Sequence, residues 1–317
     1  MSGEQRARRY AVIGTGAVGG FYGARLQQAG LSVHFLARSD REVIARQGLD
    51  VRSKDGDFSL FPVAVYGDVH EMPRCDVVIV ALKTTHNGLL SELLQPVLAD
   101  DGVVVMLQNG LGSEEAAAAV VGAERVVGGL SFVCAHKLGP GKVHHLDYGQ
   151  VTLGAYAEGY APRGVTAAMA AVATDLRAAG IAVEEAEDLL QARWRKLVWN
   201  IPFNGLSVIL DERTNRMMAD PAIRALARAL MEEVVQGAAA CGRTIPETFI
   251  ERMLEHTQNM IPYHTSMKLD YDAGRPLEIE AIYGRPLAMA AAAGVDLPRI
   301  AVLTRQLQFL DRRRRGL

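Results

Sequence analysis

The sequence predicts a doubly wound α/β domain built on a parallel sheet, followed by a second domain that is all helical. Three observations carry this prediction. An apolar, β-branched run at residues 10–13 enters a glycine-rich turn and then a helical pattern. Strand and helix patterns then alternate as far as Gly129. Beyond Glu184 the strand signals all but stop. A chain of 317 residues is also longer than one hydrophobic core normally supports.

The elements follow in order. Residues 10–13 form the first strand, residues 17–29 a helix closed by Gly30, and residues 32–36 the second strand. Residues 76–82 hold the continuous core Val77-Val78-Ile79-Val80, the pattern of a parallel strand covered on both faces. A helix over 87–98, a strand over 103–107, a helix over 113–120 and a strand over 126–129 follow. From 132 to 155 short alternating pieces flank the turn Gly139-Pro140-Gly141, which predicts a closing hairpin. Helical patterns then fill 188–210, 222–240, 247–260, 278–293 and 299–310. The expected domains are therefore residues 1–185 and residues 186–317.

Bulk properties exclude several function classes. Hydrophobic residues make up 49% and charged residues 22%, which fits a globular chain without long disordered tracts. A formal net charge of −2 gives no electrostatic case for a nucleic-acid or membrane partner. The opening residues are polar, so no signal peptide is expected, and no apolar run reaches the ~18 residues of a membrane span. Cys75, Cys134 and Cys241 follow no metal-ligand or redox spacing, which predicts reduced thiols in a cytoplasmic protein. His136, His144 and His145 lack a supporting carboxylate pattern, so no metal site is expected. The terminal run Arg312 to Arg315 reads as a solvated, frayed end.

The glycine turn reads Gly14-Thr15-Gly16-Ala17-Val18-Gly19. In the Rossmann-type pattern the first glycine permits the turn, the second admits a pyrophosphate, and the third allows close helix–strand packing. The helix start offers unpaired N–H groups and a positive dipole end to the phosphates. At the end of the second strand an acid would bind a ribose 2′-hydroxyl and repel a 2′-phosphate. This chain instead has Arg38, with no acid before Asp40. A guanidinium there suits a phosphate, so NADP (NADPH) is the expected cofactor.

In the second part, Lys196, Asn200 and Asn204 are spaced by four within an otherwise mostly apolar helix. They share one face, and buried polar groups on such a face require partners. The residues alone leave open whether this stripe is a site or a face crossing from core to solvent. Pro202 between the asparagines predicts a kink.

With these pieces the chain resembles the ketopantoate reductase (2-dehydropantoate 2-reductase) family, of the 6-phosphogluconate-dehydrogenase-like superfamily. The resemblance rests on the glycine loop, Ala81-Leu82-Lys83, Gln108-Asn109-Gly110, Arg195-Lys196-Leu197 with its two asparagines, and Ser266-Met267 followed by Glu278. It covers nearly the whole chain. It implies NADPH-dependent reduction of ketopantoate to pantoate, with Lys196 as the general acid for the nascent alkoxide. Asn200, Asn204 and Ser266 are implied to bind the substrate's carboxylate and hydroxyl groups. Glu278 is implied to lie beside both cofactor and Lys196, with Lys83 and Asn109 also lining cofactor and substrate. Ala135 matches a small cofactor-lining position. In place of a further substrate-binding asparagine the chain has Thr214, with Asn215 next to it. The expected partner is a small 2-keto acid, and a homodimer is a candidate assembly. Two alternatives stay open: reduction of another small 2-keto acid on the same scaffold, including opine-type chemistry, or a non-catalytic NADP(H) sensor. A sensor has no need for a lysine, two asparagines, a serine and a glutamate in register.

Overall fold

The computed structural model describes residues 7–316; the polar residues 1–6, read above as no signal peptide, lie outside them, as does residue 317. The chain divides into two compact units. One runs to Gln108 and resumes over Ser113–Leu189; the other takes Asn109–Gly112 and everything from Leu190 onward.

The first unit contains β1 (Arg9–Ile13), α1 (Ala17–Gln28), β2 (Ser32–Leu36), α2 (Arg41–Gln47), β3 (Leu49–Ser53), β4 (Phe58–Leu60) and β5 (Ala64–Tyr66). It continues with β6 (Cys75–Val80), α3 (Leu90–Leu94), β7 (Leu98–Met106), α4 (Ser113–Val121), β8 (Val126–Gly139), β9 (Lys142–Ala155), α5 (Ala167–Ala178) and β10 (Val183–Ala186). One sheet holds all ten strands, in the order β4-β3-β9-β8-β7-β6-β1-β2-β5, with β10 beside β9. The stretch from β5 to β8 is parallel throughout. Its order reverses at β1, with β2 on one side and β6 on the other, which creates the crevice where such sheets bind ligands. The register sets Val12 opposite both Phe35 and Ile79. All three side chains are buried, as a two-faced sheet requires.

Several expectations need correction. The helix expected over 87–98 is a 3-10 turn (Thr84–Leu89) followed by the short α3, and Leu98 already begins β7. Gly88 weakens helix there, and Pro96 has no N–H to carry α3 onward. The strand expected over 126–129 is the first part of the long β8, which pairs antiparallel with β9 through three register irregularities. Elements α2, β3, β4, β5 and α5 drew no expectation; the strands among them have five residues or fewer, too short for a periodicity to show.

The second unit contains α6 (Leu189–Leu210), α7 (Thr214–Ala219), α8 (Pro221–Ala240), α9 (Glu247–Asn259), α10 (Ser266–Asp272), a π-helical turn (Glu280–Gly284), α11 (Arg285–Ala292) and α12 (Pro298–Arg315). Trp194 of α6 is fully buried and packs on Gly237 of α8, where an added Cβ would lie 2.9 Å from the indole. Buried Glu233 of α8 accepts from the N–H groups of Arg299 and Ile300, and so fills the open start of α12. The arginine run expected to fray is the last turn of α12. Arg314 donates to the carbonyls of Tyr271 and Asp272, and Arg315 pairs with Asp311, so the last helical turn has anchors. Among the described residues no helix is long and apolar enough to cross a membrane.

Candidate active site

In the first unit the three glycines of the turn differ in what they permit. Gly14 has φ +99°, and a Cβ there would lie 2.8 Å from the Leu82 nitrogen and 2.9 Å from the Ala81 carbonyl carbon. The loop is therefore seated directly on the end of β6, and Ala81 N–H donates to the Ile13 carbonyl across the crevice (2.9 Å). Lys83 follows two residues later, at the start of the 3-10 turn. A Cβ on Gly19 would stand 2.2 Å from the Gly14 carbonyl oxygen, so α1 lies tight against the loop. Gly16 is the opposite case: nothing lies within 4 Å of its would-be Cβ. It precedes the first residue of α1, and no side chain caps the N–H groups of that first turn. Open space before unfilled amide donors at a helix start fits a dinucleotide pyrophosphate.

Thr15 Oγ1 donates to the Leu36 carbonyl (3.0 Å) and ties the glycine loop to the end of β2. Just past that end, Arg38 is exposed, and among the described residues no hydrogen bond or ion pair engages it. Ala135 lies within the hairpin, in register with His145, on a part of β8 beyond its pairing with β7 at Met106 and Gly128. His145 is fully buried, bonded to Ser53 Oγ and the Tyr148 carbonyl and packed on the Phe21 ring. Burial lowers its pKa, with the Tyr148 carbonyl opposing. Among the described residues no group of three His, Cys, Asp or Glu side chains is placed to hold a metal.

In the second unit α6 runs unbroken through Pro202 and carries Lys196, Asn200 and Asn204 on one stripe. Lys196 is half-buried, while Asn200 and Asn204 are 6% and 2% exposed. Among the described residues, Asn200 Nδ2 is buried with no hydrogen-bond partner. A buried amide donor of this kind costs stability unless a water or a ligand accepts from it.

Three contacts gather other elements on this helix. Ser207 continues the stripe; its Oγ donates to the Asn204 carbonyl (3.0 Å) and shares a 2.7 Å hydrogen bond with Thr265 Oγ1. Thr265 also accepts from Lys268 N–H and caps α10, so half-buried Ser266 follows immediately on a residue bonded to α6. Lys268 adds a second tie: its ammonium pairs with Asp211, just past α6, and with Asp272. Tyr283 of the π turn is fully buried and donates its hydroxyl to the Ile201 carbonyl (3.0 Å). Its oxygen would stand 2.9 Å from a Cβ on Gly205, which fixes the π turn against α6. Glu278, 5% exposed, lies two residues before that turn.

Asn109 joins the same unit by an unexpected route. Gly110 has φ +83°, and a Cβ there would lie 2.3 Å from the Ala281 carbonyl oxygen. Leu111 N–H donates to that same carbonyl (2.9 Å). Asn109 thus rides on the π turn beside the Glu278 segment. The family's further asparagine has no equivalent at Thr214: this side chain is buried and accepts from Tyr263 N–H. Asn215 is exposed on the first turn of α7.

Sequence reading missed Ser207, Thr265 and Tyr283. Ser207 had a signal, since it extends the Lys196–Asn200–Asn204 stripe by three residues. Thr265 and Tyr283 had none, because their partners on α6 are 58 and 82 residues away.

A glycine loop at the reversal point of a parallel sheet, with a helical unit bearing a buried polar stripe, defines the class: a Rossmann-type dinucleotide-binding oxidoreductase. Residues 10–158 match the family described as "Ketopantoate reductase PanE/ApbA", and residues 188–311 match "Ketopantoate reductase PanE/ApbA C terminal". The chain belongs to the ketopantoate reductase family. It is 56% identical to a 2-dehydropantoate 2-reductase of Nostoc sp. over 308 residues, 97% of each chain. The crystal structure of 2-dehydropantoate 2-reductase from Geobacter metallireducens superposes with a TM-score of 0.91 at 44% identity, covering 95% of this chain and 99% of that one. D-mandelate dehydrogenase, solved with NADH and anilino(oxo)acetate, shares the fold at 22% identity and a TM-score of 0.85, with 96% and 99% of the two chains covered.

Proposed function

We propose that this protein is a 2-dehydropantoate 2-reductase that uses NADPH, with the first unit as its NADP-binding domain and the helical unit as its substrate and catalytic domain. The observation that carries the reading is the Asn200 amide, buried and without a partner among the described residues, on the same stripe as half-buried Lys196 and buried Asn204. Gly14, Thr15, Gly16, Ala17, Val18 and Gly19 would hold the pyrophosphate, and Arg38 the 2′-phosphate; the open face of Gly16 and the free guanidinium fit those groups. When bound, NADPH supplies the hydride that the keto carbon must gain.

The protein's own side chains do the rest. The amide N–H groups of Asn200 and Asn204 donate to the substrate's carboxylate and hydroxyl oxygens, with Ser266 as a further donor. These bonds orient the 2-keto group toward Lys196. As the carbonyl carbon is reduced, negative charge grows on its oxygen. The Lys196 ammonium stabilises that charge and gives the oxygen a proton, which leaves a hydroxyl and a neutral amine that water reprotonates. Glu278, by its negative charge, favours the ammonium before transfer. Asn109, carried on the π turn, is a further candidate in the helical unit, and Lys83, at the end of β6, is one in the first unit.

One observation favours a second reading of the substrate. Thr214 is buried, with its hydroxyl oxygen accepting from Tyr263 N–H, so the position of the family's further asparagine presents no amide to a substrate. A small 2-keto acid with fewer hydroxyl groups would need none. Following NADPH absorbance with ketopantoate and a panel of unbranched 2-keto acids tests both readings. The first expects the highest kcat/KM with ketopantoate; a clear preference for another keto acid supports the second, and no turnover of any would leave a nucleotide-binding protein only.

A further inference from the structure

The acid that follows Arg38 is not on the surface. Asp40 is 4% exposed, and both of its oxygens are occupied. Lys137 Nζ lies 2.8 Å from one and 2.7 Å from the other. Ser39 Oγ donates at 2.8 Å and Gly141 N–H at 3.2 Å. Lys137 comes from β8, 97 residues further along the chain, so this contact exists only through the hairpin. Burial alone would raise the Asp40 pKa; the bonds from Lys137, Ser39 and Gly141 outweigh it and hold the carboxyl below its usual range.

Near the end of the second strand a carboxylate has two harmful alternatives in an NADP site. It can face the 2′-phosphate and repel it, or it can pair with Arg38 and cancel the charge the phosphate needs. Neither occurs: Asp40 is committed to Lys137, and Arg38 carries no ion pair among the described residues. The formal charges of Arg38, Asp40 and Lys137 leave one net positive charge at this end of the sheet. Without Lys137 the sum is zero, and a buried carboxylate is left uncompensated.

We propose that Lys137 is a cofactor-specificity residue, acting by holding Asp40 in an internal ion pair so that Arg38 stays available for the 2′-phosphate. This rests on the NADPH reading above and adds a residue to it. Lys137 is a positioning residue, since it acts through Asp40. A purely architectural role, pinning the hairpin turn at Gly141, predicts something different: lower stability and equal loss of both cofactors.

The test measures Kd for NADPH and for NADH on the full chain, by nicotinamide fluorescence, for wild type, Lys137→Met, Asp40→Asn and the double variant. Wild type must prefer NADPH; if it does not, the cofactor reading fails before any variant is considered. Lys137→Met is expected to weaken NADPH about tenfold while NADH changes little, the size of one screened unit charge. Asp40→Asn should raise the preference for NADPH, and the double variant should restore it to about the wild-type level. Equal losses of both cofactors in Lys137→Met, or a double variant as poor as that single one, overturn the proposal. If Lys137→Met does not fold, Asp40→Asn decides alone: a fall in NADPH preference overturns the proposal and a rise supports it.

Discussion

Under the proposed function, the two units hold ligands by opposite means. At the glycine loop the first unit works by omission: side chains are missing where backbone must turn, where helix must touch strand, and where a phosphate must approach. The helical unit works by addition, placing an ammonium, two amides and a carboxylate where apolar packing would be more stable. Its polar groups are costly to bury, and among the described residues one of them has no hydrogen-bond partner. The contrast teaches where each kind of damage should appear. Substitutions in the loop should change fold and binding, while substitutions on the α6 stripe should change chemistry with the fold intact.

The largest effect is expected on the stripe. Lys196→Ala should lower kcat by roughly 10²–10⁴, the range for removing a positioned acid. Tm and the Kd for NADPH should barely change, since the glycine loop and Arg38 belong to the first unit. Single-turnover kinetics with saturating NADPH would read this directly. A variant with near wild-type kcat would break the contrast and return the stripe to packing.

Next in size is a pair of glycines three residues apart. Gly19→Ala sets a methyl group 2.2 Å from the Gly14 carbonyl oxygen, and should cost about 3 kcal/mol of stability or more, as backbone overpacking does. Gly16→Ala meets no atom within 4 Å and should leave the denaturation midpoint alone. It should weaken NADPH and NADH alike, because both carry the pyrophosphate. Equal destabilisation by the two changes would mean that the open space at Gly16 is not a ligand site.

Smaller again is Asn200→Ala. Loss of an amide that bonds a charged substrate oxygen should reduce kcat/KM by about 1.5–3 kcal/mol. Its Nδ2 has no protein partner among the described residues, so stability should not fall with activity. Unfolding in step with inactivation would mark Asn200 as a structural amide.

This contrast also explains what could be read in advance. The loop is local: its three glycines, its strand and its helix lie within residues 9–28, so periodicity and turn chemistry suffice to find it. The stripe on α6 is equally local and was found by its spacing of four. What surrounds it is not. Tyr283 reaches Ile201 and Thr265 reaches Ser207 across long stretches of chain, and nothing in the composition of either segment announces the meeting. Gly110 was legible only as part of a motif. Its physical reason, the Ala281 carbonyl 2.3 Å from a would-be Cβ, depends on tertiary packing. The short strands β3, β4 and β5 were invisible for a different reason, being too brief to show a pattern.

The smallest expected effect sharpens the contrast from the first unit's side, because there a buried polar group is fully paired. The bonds from Lys137, Ser39 and Gly141 overcome the cost of burying Asp40 and depress its folded pKa. Between the folded and unfolded pKa values the unfolded chain binds more protons, so stability rises with pH across that interval. The contribution is fully present above the unfolded carboxyl value of about 4 and disappears as pH falls through the lower folded value. Asp40→Asn removes it at every pH. Wild type should therefore exceed Asp40→Asn by on the order of 1 kcal/mol at pH 7, a modest figure because Lys137 is partly solvated. The gap should narrow below about pH 4 and close once the folded carboxyl is protonated. Urea titrations of both proteins at pH 7, 5, 4 and 3 measure it. A gap that stayed constant down to pH 3 would show that the asparagine acts by shape and that the Asp40–Lys137 pair contributes no charge-dependent stability.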